Sequence, residues 1–146
     1  MNDHRERFET IIKKLKENGN RLTPQRLAVA KVLALSEGHP SAENIYEQLQ
    51  DDFPSMSLAT VYRNVMLIKS LGEVLELGFP DGSNRYDGNM PWPHPHVVCL
   101  KCKQIIDPKL TRLKDMTQKI AAETGFEILT HRLDFFGICR ECRNNT

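Results

Sequence analysis

The sequence predicts an α+β protein, an N-terminal winged helix-turn-helix domain followed by a small C-terminal α/β domain built around a four-cysteine metal site. Three observations lead there. Helical patterning with matched cap residues runs to about Gly72. Short extended pieces then follow, divided by the hairpin-turn signal Asp81-Gly82. All four cysteines fall in the last third of the chain as two Cys-x2-Cys pairs, Cys99/Cys102 and Cys139/Cys142.

Phe8, Ile11, Ile12 and Leu15 recur at i, i+3, i+4 and i+7, one apolar stripe on a charged segment that stops near Asn18-Gly19. Thr23-Pro24 reads as an N-cap followed by proline at the first helical position, opening a second helix with Leu27, Ala30, Val32 and Leu33 that closes at Gly38. After the connector His39-Pro40, Ser41 caps a third helix with Ile45 and Leu49, ending before Phe53-Pro54. Ser57 caps a fourth. There Val61, Val65 and Ile68 form the buried stripe, Thr60, Arg63 and Asn64 point elsewhere, and Gly72 supplies the stop. Extended pieces at 73–77 and 84–86 form the hairpin. Three helices, a fourth that displays Thr60, Tyr62, Arg63 and Asn64, and then a hairpin make the order of a winged helix-turn-helix over residues 1–87. The stretch 88–95, with three prolines and one glycine, breaks the pattern and is the expected hinge. In 96–146, strand-like pieces at 97–100, 104–107 and 127–136 surround one helix carrying Leu110, Leu113, Met116 and Ile120.

No apolar run approaches the ~18 residues of a membrane span, and the first residues are too charged for a signal peptide. The expectation is a soluble, cytoplasmic protein with no membrane partner. Disulfides rarely persist in that compartment, so paired cysteines point to thiolate ligands. A net charge of +1, with ten Lys/Arg against eleven Asp/Glu in residues 1–80, excludes a global electrostatic field for nucleic acid. DNA binding would need a local patch.

Cys-x2-Cys is the spacing at which one tight turn presents two sulfurs to the same ion, and two such turns make a closed four-thiolate cage for structural Zn2+. The 36 residues between the pairs hold the helix and strands of the second domain, so the ion would pin the end of the chain to the domain's start. Two redox pairs or unliganded thiols are the alternative, but a redox pair normally appears once and at a helix start. His94-x-His96 in an extended segment puts both imidazoles on one face. Asp87 and Asp107 add oxygen donors, a mixed set that suits Fe(II), Mn(II), Zn(II) or Ni(II). Taken singly, Asp87 is also able to close a turn, Asp107 to cap the helix after Pro108, and the histidines to sit exposed in a proline-rich loop.

RLTPQR at 21–26, HPSAENIY at 39–46, SLATVYRNV at 57–65, RYD at 85–87 and HPHVVCLKC at 94–102 together resemble the ferric uptake regulator family of metal-dependent repressors, over nearly the whole chain. The resemblance implies a winged-helix DNA-binding domain, a dimerisation domain over 96–146 and zinc on the cysteine quartet. It also implies a regulatory Fe2+ or Mn2+ held by His39, Asp87, His94, His96 and Asp107. His39 then belongs to the first domain and Asp107 to the second, so the metal would fix the angle between them. Aspartate at 107 is similar to the peroxide-sensing branch, whereas iron-sensing members usually place glutamate there. Arg63 departs from the asparagine of some peroxide sensors. A third metal site of some members is broken here by Pro93, Pro95 and Lys114, which leaves His131 without companions.

The implied function is a homodimeric repressor on a palindromic double-stranded operator. The helix over 57–71 would enter the major groove, with Arg63 on guanine, Tyr62 on a thymine methyl or a phosphate, Thr60, Asn64 and Ser57 adding polar contacts, and Arg21 at the minor groove. Fe(II) and peroxide would oxidise His39 or His94 and release the operator. An iron or other metal-uptake repressor is the alternative. An enzyme built on two histidines and a carboxylate is disfavoured, because the helix-turn-helix half is then unexplained and no general base stands beside the site.

Overall fold

Cap chemistry sets where the helices begin in the computed structural model, which describes residues 3–79 and 83–145. The expected turn at Asp81-Gly82 lies outside the described residues. Helix α1 (His4–Glu17) starts after Asp3, whose carboxylate accepts from the Arg5 N–H. α2 (Pro24–Leu35) starts after Thr23 with proline in its first turn, and it ends ahead of Gly38 because Ser36 turns extended. α3 (Ala42–Leu49) carries a reciprocal capping box between Ser41 and Asn44. α4 (Leu58–Ser70) is capped by Ser57. Gly72, at φ +81°, adopts the left-handed conformation that ends a helix.

The apolar stripes of these helices meet in one core. Ile11 and Leu15 of α1, Val29 and Leu33 of α2, Ile45 of α3 and Val61, Val65 and Ile68 of α4 are all fully buried. The antiparallel pair β1 (Leu75–Gly78) and β2 (Asn84–Asp87) follows, with Tyr86 of β2 closing the core. β1 begins later than expected because Glu73 is engaged elsewhere. Its carboxylate pairs with the buried Arg7 guanidinium at 2.9 Å, and Arg7 also donates to the Gly88 carbonyl at 3.0 Å. At Gly88 a Cβ would lie 2.7 Å from the Leu33 Cβ, so the chain passes α2 at a distance only glycine allows.

The chain divides into two units, one ending at Trp92 and the other beginning at Pro93. The second holds a three-stranded sheet in the order β4 (Ile105–Ile106), β3 (His96–Cys99), β5 (Asp134–Gly137), with β3 and β5 parallel. Helix α5 (Leu113–Thr124) and the short α6 (Arg140–Asn144) complete it. Three details differ from expectation. The strand foreseen at 127–136 forms only from Asp134, because β3 offers just the register His96↔Asp134 to Cys99↔Gly137 as a partner. Leu110 lies outside α5, whose N-cap is Arg112. α6 was not foreseen, since its charged RECRN sequence has no apolar period. No helix among the described residues is long and apolar enough to cross a membrane.

Candidate functional site

Cys99 ends β3, Cys102 lies in the turn that follows, Cys139 is the N-cap of α6 and Cys142 sits inside it. All four sulfurs lie within 4.8 Å of one another, and Cys102 Sγ is 3.8 Å from Cys139 Sγ. A tetrahedral Zn2+ with bonds of about 2.3 Å spaces its sulfurs about 3.8 Å apart, so the quartet fits that ion. The sulfurs converge as one group of four and not as two separate redox pairs. Backbone N–H groups of Cys139 and Cys102 point at Cys99 Sγ from 3.4 and 3.5 Å and pull its thiol down to about 6. The Cys139 sulfur beside it pushes Cys142 up to about 12. Four thiolates so close repel one another, and a divalent cation is the partner that lets them ionise together.

In the first unit His39 is buried, with Nε2 3.1 Å from Asp87 Oδ2. Its φ of +52° places it in the left-handed region, unusual for a residue other than glycine. Interactions with β2 hold it there. The Arg85 guanidinium donates to the carbonyls of His39 and Gly38, and the Tyr86 N–H donates to Pro40. Asp87 does close a turn, its Oδ1 accepting from the N–H groups of Asn89 and Met90 at 2.9 and 2.8 Å. Its second oxygen faces His39.

In the second unit the imidazoles of His94 and His96 lie 4.4 Å apart, and their Nε2 atoms are 3.5 and 3.7 Å from one oxygen of Asp107. These separations exceed a good hydrogen bond and match two or three ligand atoms arranged around one ion. Asp107 caps no helix, because α5 starts only at Leu113. Asp134 was missing from the expected donor set, and its Oδ1 lies 3.3 Å from His96 Nδ1. Only the parallel register of β5 against β3 brings them together, and the expected strand at 127–136 was the one hint. His131 lines a separate cleft of about 490 Å³ with Lys114, Thr117 and Leu129.

On α4, Tyr62 and Arg63 are exposed on one face. Tyr62 Oη donates to Glu43 at 3.4 Å, and Arg63 donates to Thr60 Oγ1 at 3.1 Å. Ser57 Oγ caps the helix through the Thr60 N–H and meets the Thr60 hydroxyl at 3.0 Å. Asn64 departs from the expectation of an outward residue. It is 7% exposed, accepts from Arg26 Nε at 2.9 Å and donates to the Thr60 carbonyl at 3.0 Å. Its amide is spent on the α2–α4 junction, where Arg26 also donates to the carbonyl of the exposed Arg21 at 2.7 Å.

The chain resembles known proteins over most of its length. The model of the Ferric uptake regulator family matches residues 17–136. The chain is 39% identical to the peroxide-responsive repressor PerR of Staphylococcus saprophyticus, over 94% of this chain and 92% of that protein. The PerR structure from Streptococcus pyogenes, described in terms of peroxide sensing and gene regulation, has 34% identity and a TM-score of 0.53, covering 92% of each chain. The Helicobacter pylori ferric uptake regulator, described with three functional metal binding sites, has a TM-score of 0.82 over 97% of this chain and 94% of that one. At 23% identity that last likeness speaks for the fold alone.

Proposed function

The chain belongs to the ferric uptake regulator family, and from that premise we propose that it is a metal-dependent, DNA-binding transcriptional repressor that responds to peroxide. The observation that carries this reading is the donor set of the second unit, His94 and His96 aimed at one oxygen of Asp107, in a chain 39% identical to a peroxide-responsive repressor. Zn2+ on Cys99, Cys102, Cys139 and Cys142 is structural. The regulatory Fe2+ or Mn2+ takes His39 and Asp87 from the first unit and His94, His96 and Asp107 from the second. An ion with ligands in both units couples metal affinity to operator affinity in both directions. A tenfold effect needs only about 1.4 kcal/mol.

In this reading residues 1–87 bind DNA, 88–95 are the hinge, and 96–146 dimerise and bind metal. Arg63 and Tyr62, exposed on α4, reach base edges in the major groove, with Ser57 and Thr60 at the helix's amino-terminal end and Arg21 at the flanking minor groove. Asn64 acts indirectly, by holding Arg26 and the α2–α4 angle. The second unit leaves Phe126, Leu129, Phe135, Phe136 and Ile120 exposed, which supports a homodimer. Two copies of the reading helix then match a palindromic operator.

An Fe2+ held by these residues would supply the electrons for cleavage of peroxide, and the imidazoles of His39 and His94 are the groups beside it that would take up one oxygen, the other leaving as water; Mn2+ would not supply that chemistry. Loss of either ligand separates the two halves of the donor set and releases the operator. Mass spectrometry of Fe(II)- and Mn(II)-loaded protein before and after peroxide, with operator binding followed in parallel, tests this. The expected result is a gain of one oxygen on His39 or His94 in the Fe(II) form only, together with loss of DNA binding. Unmodified histidines, with the operator released by iron depletion alone, would identify an iron sensor instead.

A further inference from the structure

His96 and Asp134 are directly paired in the parallel register of β3 and β5. Neighbouring strands lie about 4.8 Å apart, so the two side chains stand side by side on the same sheet face. The His96 N–H also donates to the Leu133 carbonyl at 3.0 Å, which fixes the histidine backbone against the strand that carries Asp134. The His96 side chain is 2% exposed and that of Asp134 10%, with 3.3 Å between Nδ1 and Oδ1, an ion-pair separation that is not aligned as a hydrogen bond. The other carboxylate oxygen of Asp134 is engaged by the Arg132 guanidinium.

Resting on the metal-site reading above, we propose that Asp134 is a positioning residue of the regulatory site, holding the His96 proton on Nδ1 and keeping Nε2 as the ligand atom. A carboxylate facing Nδ1 attracts an N–H and repels a lone pair, and Asp134 at 3.3 Å stands nearer to Nδ1 than Asp107 does to Nε2 at 3.7 Å, so the Nδ1–H tautomer is the favoured one. That tautomer leaves the Nε2 lone pair directed to the side where Asp107 Oδ1 lies, 3.7 Å away. Orienting carboxylates of this kind govern how well a histidine serves as a ligand. Arg132, by taking Oδ2, leaves Oδ1 for the imidazole and keeps Asp134 from turning to solvent. The arrangement lies wholly within the second unit, so it is set before any ligand arrives from the first.

The test uses the full-length protein with zinc on the cysteines and Mn2+ as the probe, titrated by the loss of its free-ion paramagnetic resonance signal. Asp134→Ala is expected to weaken Mn2+ binding about 10- to 100-fold with zinc content and dimer unchanged. Asp134→Glu, which keeps a carboxylate on β5, should recover most of that loss. Imidazole 15N shifts of wild-type His96 before Mn2+ is added should show the proton on Nδ1. A proton on Nε2 would overturn the proposal, and this readout stands even if Asp134→Ala unfolds. Unchanged Mn2+ affinity in folded Asp134→Ala would overturn it as well. His96→Ala separates the two levels of the argument. If His96→Ala abolishes Mn2+ binding while Asp134→Ala does not weaken it, the positioning role alone fails. If His96→Ala also leaves the affinity intact, the metal-site reading fails with it.

Discussion

The two units bury their apolar side chains very differently. In the first, all four helices contribute to a single core in which residues such as Leu33, Ile45, Val61 and Ile68 have no exposure. In the second, the buried hydrophobic residues among those described are Val98, Cys99 and Ile105, and α5 buries none of its residues. Leu129 and Phe126 stand 85% and 70% exposed. At roughly 25 cal/mol per Å² of apolar surface, the first unit has an ordinary source of stability and the second lacks one. Small domains without a sufficient core rely on metals or on association. The four-sulfur cluster and the exposed apolar side chains supply one device of each kind.

The largest expected effect therefore follows from breaking the cysteine cage. Structural zinc contributes about 10–16 kcal/mol of apparent binding free energy, as much as a whole domain's usual stability of about 5–15 kcal/mol. Cys99→Ser, or prolonged chelation, should unfold the second unit while the first keeps its core. Amide hydrogen exchange resolves the two. β3 and β5 should lose protection while α2 and α4 retain it. Full zinc retention with β3 still protected would show that the second unit is held by something other than the cage.

Much of this contrast was legible beforehand, and the parts that were not share a cause. Helix starts at Thr23, Ser41 and Ser57 and the stop at Gly72 are local chemistry, written within a few residues of where they act. The cysteine spacing is likewise local within each pair. The misplaced strand at 127–133 is not, since its ladder depends on the length of β3 far away in sequence. Asn64 was read from helical phase as outward, but Arg26 on another helix draws it into a buried bond. Asp134 owes its place to strand register, and Arg7 to the Gly88 carbonyl and Glu73. Such pairings between distant residues leave no periodic signal in the chain.

A matched pair of substitutions sharpens the comparison. Ile68, with no exposure, and Ile120, 47% exposed, are the same residue type on helices of the two units. Ile68→Ala should cost about 2–5 kcal/mol in the unfolding of the first unit, as core truncations do. Ile120→Ala should change the folding of a single chain by less than about 0.5 kcal/mol. At a packed interface, however, it should weaken the dimer by about 1 kcal/mol or more. Chemical denaturation and sedimentation equilibrium measure the two quantities separately. A dimer indifferent to Ile120→Ala would remove α5 from the interface and leave its apolar residues unexplained.

The smallest effect concerns protons and belongs to the first unit alone. His4 Nδ1 lies 2.9 Å from the Ala34 carbonyl at the end of α2, and Nε2 lies 3.2 Å from Glu37. The carbonyl first, and then the Glu37 carboxylate, raise its pKa above the ordinary 6.5. A cation there also complements the negative end of the α2 dipole. Because the folded value is raised, the protonated histidine stabilises the native state. That contribution is fully present below pH 6.5 and disappears as the pH rises through the higher folded value. With the side chain 31% exposed, solvent screening keeps the effect small. His4→Ala should therefore lower the melting temperature of the first unit more in mildly acidic than in alkaline buffer, with the zinc-dependent transition of the second unit unmoved. An equal shift at both pH values would mean that His4 acts through packing alone. A shift confined to the second unit would show that the two units do not hold their stabilities separately.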